Sequence, residues 1–125
     1  MAEDYNQVGW FEIPVSDMTR AIDFYEYVFG VTLDEQEIGE LEMAWFPMKE
    51  GEIGAPGGLV KGEGYVPSDK GTLIYFTAAD IEDVCRRAAE KQGRVLQEKS
   101  DIGEYGFTAK VLDTEGNTIG LHSRT

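Results

Sequence analysis

The chain carries one histidine, His122, and one cysteine, Cys85, and this scarcity limits its chemistry. Imidazole is the commonest nitrogen ligand for catalytic zinc, nickel and iron. His122 could be combined with a carboxylate such as Glu12, but nothing in their spacing specifies a metal site, and none is expected. A nucleophile–histidine–acid set is equally unspecified, because any serine partner for His122 would be arbitrary. A single cysteine forms no intrachain disulfide and no cysteine-based zinc site. Cys85 falls on the apolar stripe of a helix and reads as inert core. The groups left for acid or base work are Glu12, Tyr75 and His122. The glycine-rich run from Glu50 to Gly58 lacks the lysine that follows a phosphate-cradling loop, and it is acidic. It reads as a mobile lip. No cofactor is called for.

The charge balance narrows the partners. The chain has 125 residues, with 24 acidic and 11 basic ones, for a formal net charge of −13. Such a surface repels phosphate backbones and anionic lipid, which argues against nucleic acid and membrane surfaces as partners. It favours a cationic ligand, or simply keeps the protein soluble. No apolar run is long enough to cross a bilayer. The segment Met1-Ala2-Glu3-Asp4 lacks the basic start and apolar stretch of a secretory signal, so a cytoplasmic location is expected.

The elements that must position these side chains come from an internal repeat. Residues 8–15 read as a strand running into Asp17, and residues 72–79 as a strand running into Asp80, at an offset of 63 residues. Each aspartate would cap a helix by accepting a bond from an unpaired backbone N–H. The helices are expected at about 17–29 and 80–92. Met18, Ala21, Ile22, Tyr25, Val28 and Phe29 form the apolar stripe of the first, and Ile81, Val84, Cys85 and Ala88 that of the second. Gly30 and Gly93, again 63 apart, are the expected stops. Three strand candidates follow each glycine: Thr32–Ile38, Leu41–Met48 and Gly58–Lys61, then Arg94–Glu98, Tyr105–Leu112 and Thr118–Ser123. The predicted class is α+β: two βαβββ modules forming a cup-shaped mixed sheet with helices on the outside. Module one spans about 8–61, a linker 62–71, and module two about 72–123. Modules of about 60 residues are too small to be stable alone, so residues 1–125 are expected to fold as a single domain.

The opening Phe11-Glu12-Ile13-Pro14-Val15-Ser16-Asp17, with Arg20 to Tyr25 and Val28-Phe29-Gly30, resembles that of the vicinal oxygen chelate superfamily of glyoxalases, bleomycin-resistance proteins and extradiol dioxygenases. The ending from Asp113 to Leu121 resembles that family's closing strand. The fold hosts several chemistries, so the likeness implies an architecture more than a reaction. It also implies where a chelated divalent metal would be held: by one ligand from the first and last strand of each module. Those positions here are Trp10, Gly58, Leu73 (Ile74 if the register slips by one) and Gly120, and none has a side chain that binds a metal.

Period-two alternation assigns the cup-facing residues. Phe11, Ile13 and Val15 would pack on a helix, leaving Trp10, Glu12 and Pro14 toward the cup. Ile74, Phe76 and Ala78 would pack, leaving Leu73, Tyr75 and Thr77. Ile119 and Leu121 would pack, leaving Thr118, Gly120 and His122. The candidate ligand-binding set is therefore Trp10, Glu12, Gly58, Leu73, Tyr75, Gly120 and His122. Glycines at the former ligand positions remove bulk while Trp10 adds it, which suits a planar or apolar ligand better than an ion. Trp10 either contacts that ligand or plugs the emptied site. Glu12 is costly in a cup unless solvated, paired or used, and the sequence shows no partner for it. His122 lies near the chain's end and reads as a surface histidine or a ligand contact. Alternation leaves the facing of Trp45, Phe46, Tyr105 and Phe107 open.

Three functions fit these residues. One is a metal-free small-molecule binding protein, its ligand cationic or planar. The second is a glyoxalase-related lyase or isomerase using acid/base side chains. The third is an interaction module with a vestigial cavity. A homodimer is expected, because an open cup leaves edge strands and apolar surface that association would cover.

Overall fold

The computed structural model describes residues 2–125; Met1, which opens the acidic segment read above, lies outside them. In chain order the elements are β1 (Phe11–Pro14), α1 (Met18–Phe29), β2 (Asp34–Ile38), β3 (Leu41–Trp45), β4 (Gly57–Lys61), β5 (Tyr75–Thr77), α2 (Ile81–Glu90), β6 (Arg94–Asp101), β7 (Phe107–Leu112) and β8 (Thr118–Ser123). This is the α+β arrangement of two βαβββ modules. The strands form two four-stranded sheets, ordered β1-β4-β3-β2 and β5-β8-β7-β6. Both are mixed: β1 runs parallel to β4 and β5 parallel to β8, while the other pairs are antiparallel.

Both helices start as their caps dictate. Asp17 accepts a hydrogen bond from the N–H of Arg20 at 3.1 Å, and Asp80 one from the N–H of Asp83 at 3.2 Å. Their ends differ. α1 stops at Gly30 with φ 65°. α2 does not stop at Gly93 as expected: the helix is capped at Lys91, and Gln92 takes the left-handed conformation with φ 70°. Gly93 is needed for space instead, since a Cβ there would lie 2.7 Å from both the Leu112 carbonyl oxygen and the Phe24 ring. Replacing Gln92 with glycine should relieve the left-handed penalty and stabilise the fold by about 0.5–1 kcal/mol. A higher urea midpoint at unchanged slope is the expected reading.

The core lies between helices and sheets and draws on both halves: Ile13, Val15, Phe24, Tyr25 and Val28 from the first, Ile81, Ala88, Val111, Ile119 and Leu121 from the second. An aromatic seam joins them, with Phe29 stacked on Phe76 at 4.5 Å and Phe11 edge-on to Phe76 at 5.8 Å. Phe46 and Phe107 pack against this core, which settles their facing.

A polar clamp adds to the apolar seam. The turn between β7 and β8 carries Glu115, whose side chain is wholly enclosed. It accepts hydrogen bonds from the N–H groups of Ser16 (2.9 Å) and Asp17 (2.8 Å) and from Arg20 Nε (2.7 Å). In the same turn, buried Asp113 accepts from the Tyr25 hydroxyl at 2.6 Å. The Asn117 amide donates to the Pro14 carbonyl at 2.8 Å and accepts from the N–H of Ser68 at 3.0 Å. One turn of the second module thus holds the end of β1, the entry of α1 and the linker. Burial pushes the Glu115 carboxyl up, but the Arg20 guanidinium, the two backbone N–H groups and the Thr114 hydroxyl outweigh it and hold it below its ordinary value. Burial, then the Asp113 charge, push the Tyr25 hydroxyl well above its own. Among the described residues no helix is long and apolar enough to cross a membrane.

Candidate functional site

β1 and β5 each form one edge of their sheets, and a cavity of about 860 Å³ opens between them. Four of the seven residues singled out in the sequence line it: Trp10, Glu12, Leu73 and Tyr75. Alternation explains the strand positions. Ile13 and Val15 are buried in the core, so Glu12 between them turns outward.

Glu12 has a partner that the sequence does not reveal. The Trp10 indole N–H donates to its Oε2 at 3.3 Å, a long bond bridging two positions. Trp10 also stands edge-on to Trp45, with centroids 5.9 Å apart and planes at 87°. The wall therefore carries the Trp10 indole, braced edge-on by Trp45, with a carboxylate beside it, the type of surface that takes a planar or positively charged group.

Gly58 and Gly120 line no cavity among the described residues. Gly58 lies between Glu12 and Trp45 across the first sheet, and Gly120 between Tyr75 and Lys110 across the second. A Cβ on Gly58 would come within 2.8 Å of Trp45 Cδ1 and 2.7 Å of the Ala44 carbonyl oxygen. A Cβ on Gly120 would come within 2.5 Å of the Tyr75 ring. The bulk removed at the two glycines is taken up by neighbouring rings lying over them, so the glycines shape the site by letting rings down onto the sheet. Trp45 Nε1 is enclosed there without a hydrogen-bond partner among the described residues.

His122 lines a second hollow of about 470 Å³, with Tyr75, Thr77, Ile102 and Thr108. Its Nε2 lies 2.7 Å from the Tyr105 carbonyl oxygen. A carbonyl only accepts, so Nε2 carries the proton and Nδ1 is left for another contact. Tyr105 itself is exposed, in a short 3-10 turn. Cys85 is half-buried, and burial pushes its thiol up, which keeps it in the unreactive form.

The donor set does not suit a chelated metal. Trp10, Gly58, Leu73 and Gly120 offer no ligand atom, and among the described residues no three His, Cys, Asp or Glu side chains group to hold an ion. Periodicity could not find the rim of the main cavity. Ile53 and Val66 line it from loops, 92% and 74% exposed. The glycine-rich composition around Ile53 was the one available signal.

Comparison with known proteins places the chain in a wider group. The model of the Glyoxalase/Bleomycin resistance protein/Dioxygenase superfamily matches residues 7–121. A glyoxylase-like domain-containing protein of Didymella fabae is 25% identical, over 96% of this chain and 95% of that one. Among solved structures, an antibiotic binding protein of Streptomyces sp. CB03234 is 26% identical with a TM-score of 0.65, covering 97% of this chain and 98% of its own. A glyoxylase/bleomycin resistance protein/dioxygenase domain from Frankia sp. EAN1pec is 11% identical with a TM-score of 0.73, covering 97% and 99%.

Proposed function

We propose, from the premise that this chain belongs to the Glyoxalase/Bleomycin resistance protein/Dioxygenase superfamily, that it is a small-molecule binding protein whose ligand lies between β1 and β5 without a metal ion. One observation carries this reading: equivalent positions of the two modules converge on a single cavity, Trp10 and Glu12 from one, Leu73 and Tyr75 from the other. The volume of about 860 Å³ suits a drug-sized molecule. The Trp10 indole supplies a flat apolar surface, and Glu12 supplies an anchor for a cation. The net charge of −13 raises the local concentration of cationic ligands. The likeness to an antibiotic binding protein supports binding over turnover.

A homodimer in the cytoplasm belongs to the same reading. β2 and β6 end their sheets, and Ile38 on β2 and Leu96 on β6 are exposed apolar residues that association would cover.

The test uses a planar cation without an acidic group, the methyl ester of a rhodamine dye. It should bind with a rise in dye anisotropy and quench Trp10. Glu12→Gln should weaken it by about 1–3 kcal/mol, roughly five- to 150-fold, the cost of losing a charge-assisted contact. A variant that binds the ester as tightly as the native protein, or that melts several degrees lower with affinity unchanged, would make Glu12 structural and sink the anchor.

A further inference from the structure

The two sheets differ where the repeat makes them equivalent. In the second, His122 lies between Thr77 and Thr108 in one row across the strands, with Ser100 beyond Thr108. The matching row of the first sheet is Pro14, Val60, Met43 and Gln36. The fold therefore tolerates apolar residues where Thr77, His122 and Thr108 stand, and nothing in the architecture requires hydroxyls and an imidazole there.

We infer that the His122 row is a carboxylate-binding subsite, so that the ligand is a zwitterion: a planar cation beside Trp10 and Glu12, a carboxylate at His122. The inference rests on the cavity reading above and adds the ligand's second charge. Three observations support it. Tyr75 and Thr77 line both hollows, so the two adjoin across one strand, β5. The hollow's lining is rich in donors: the hydroxyls of Tyr75, Thr77 and Thr108 stand around the His122 ring, whose Nε2–H is held by the Tyr105 carbonyl. In a chain with 24 acidic residues, none lines this hollow. Alternation with buried Ala109 and Val111 puts Lys110 on the same face, two ladder pairs along from His122. A carboxylate here would meet the hydroxyl donors of Tyr75, Thr77 and Thr108, contacts that are charge-assisted because the acceptor is ionised.

The experiment compares the rhodamine methyl ester with the same dye bearing the free carboxylate. The protein's overall negative charge disfavours the free acid, so tighter binding of the acid can only come from local donors. The acid should bind about tenfold more tightly than the ester, the worth of one such contact. Thr77→Val and Thr108→Val together should erase that advantage, and Thr108→Val alone should reduce it by about threefold. Thr108→Val should leave the ester within about twofold of its native affinity. Valine keeps the shape of threonine, which guards against a fold defect. An ester that binds while the acid binds no better overturns the subsite and leaves the cavity reading intact. An advantage that survives both substitutions places the carboxylate elsewhere and also overturns it. If neither dye binds, both readings fall together.

Discussion

Replacing Glu115 with alanine is expected to lower the free energy of unfolding by about 2–3 kcal/mol, the cost of taking a charged acceptor from two backbone N–H groups, while the half-exposed Arg20 turns to water. The effect is large because Glu115 serves three groups from another part of the chain. Without it, the N–H groups of Ser16 and Asp17 and the Arg20 guanidinium lose their acceptor together. Water cannot replace it freely, since the carboxylate's place is fully enclosed. Glu115→Gln keeps the shape and one acceptor oxygen and should fall between native and alanine. The sign of the pH dependence follows from the lowered native pKa. A carboxyl held below its ordinary 4.5 contributes stability that is present above that value and lost as pH falls through the native one. The gap between native and Glu115→Ala should therefore be widest near neutrality and narrow in acid. Urea titrations at several pH values read it directly. A gap independent of pH would show that shape, and not charge, holds the turn in place.

The second large effect is expected at Gly58. Alanine there should destabilise by about 2–3 kcal/mol, the upper part of what overpacking costs. Two atoms stand in the way of the new methyl group. Trp45 Cδ1 at 2.8 Å belongs to a side chain that can swing aside, but the Ala44 carbonyl at 2.7 Å belongs to the β3–β4 ladder. Trp45→Ala in the Gly58→Ala background should recover part of the loss and no more, because the backbone contact remains. Expelling the Trp45 indole should also disturb its edge-on contact with Trp10, altering the near-ultraviolet circular dichroism of the pair and weakening the dye ester. A Gly58→Ala protein with native melting and native spectrum would mean that the position is open, as alternation alone suggests.

These two sites show what can be read from a linear sequence and what cannot. The caps at Asp17 and Asp80, the stop at Gly30 and the repeat were legible because each depends on residues within a turn or two, or on a fixed offset. Burial alternates along β1 and β5 as period two expects, yet Phe11, Ile13 and Phe76, expected only to pack on a helix, also line the cavity. Gly93 misled because two physical demands select glycine, a positive φ and a missing Cβ, and composition does not distinguish them. Gly58 and Gly120 misled similarly: an absent side chain reads as empty space, yet the space belongs to whichever neighbour leans over it. The Trp10–Glu12 bond depends on rotamers, and the reach of Ile53 and Val66 to the cavity depends on loop paths. Neither is periodic, so neither leaves a sequence signal. Glu115 reads as one more acidic residue in a turn, and its role arises from Ser16 and Asp17, nearly a hundred positions away.

The clamp is present once in a fold that has two equivalent places for it. The β7–β8 turn holds α1, but among the described residues no side chain from the loop between β3 and β4 bonds to the entry of α2. The two hairpins hold equivalent places in the topology but do different work. One hairpin is tied by its carboxylates and amide to distant backbone, so most changes to it carry a penalty. The other has no such duty, and it carries Ile53 beside the cavity mouth. Length and composition can drift there at little cost to folding. A lineage built on this scaffold can therefore change what it captures by rewriting one loop, while the opposite loop preserves the shape into which the capture is made.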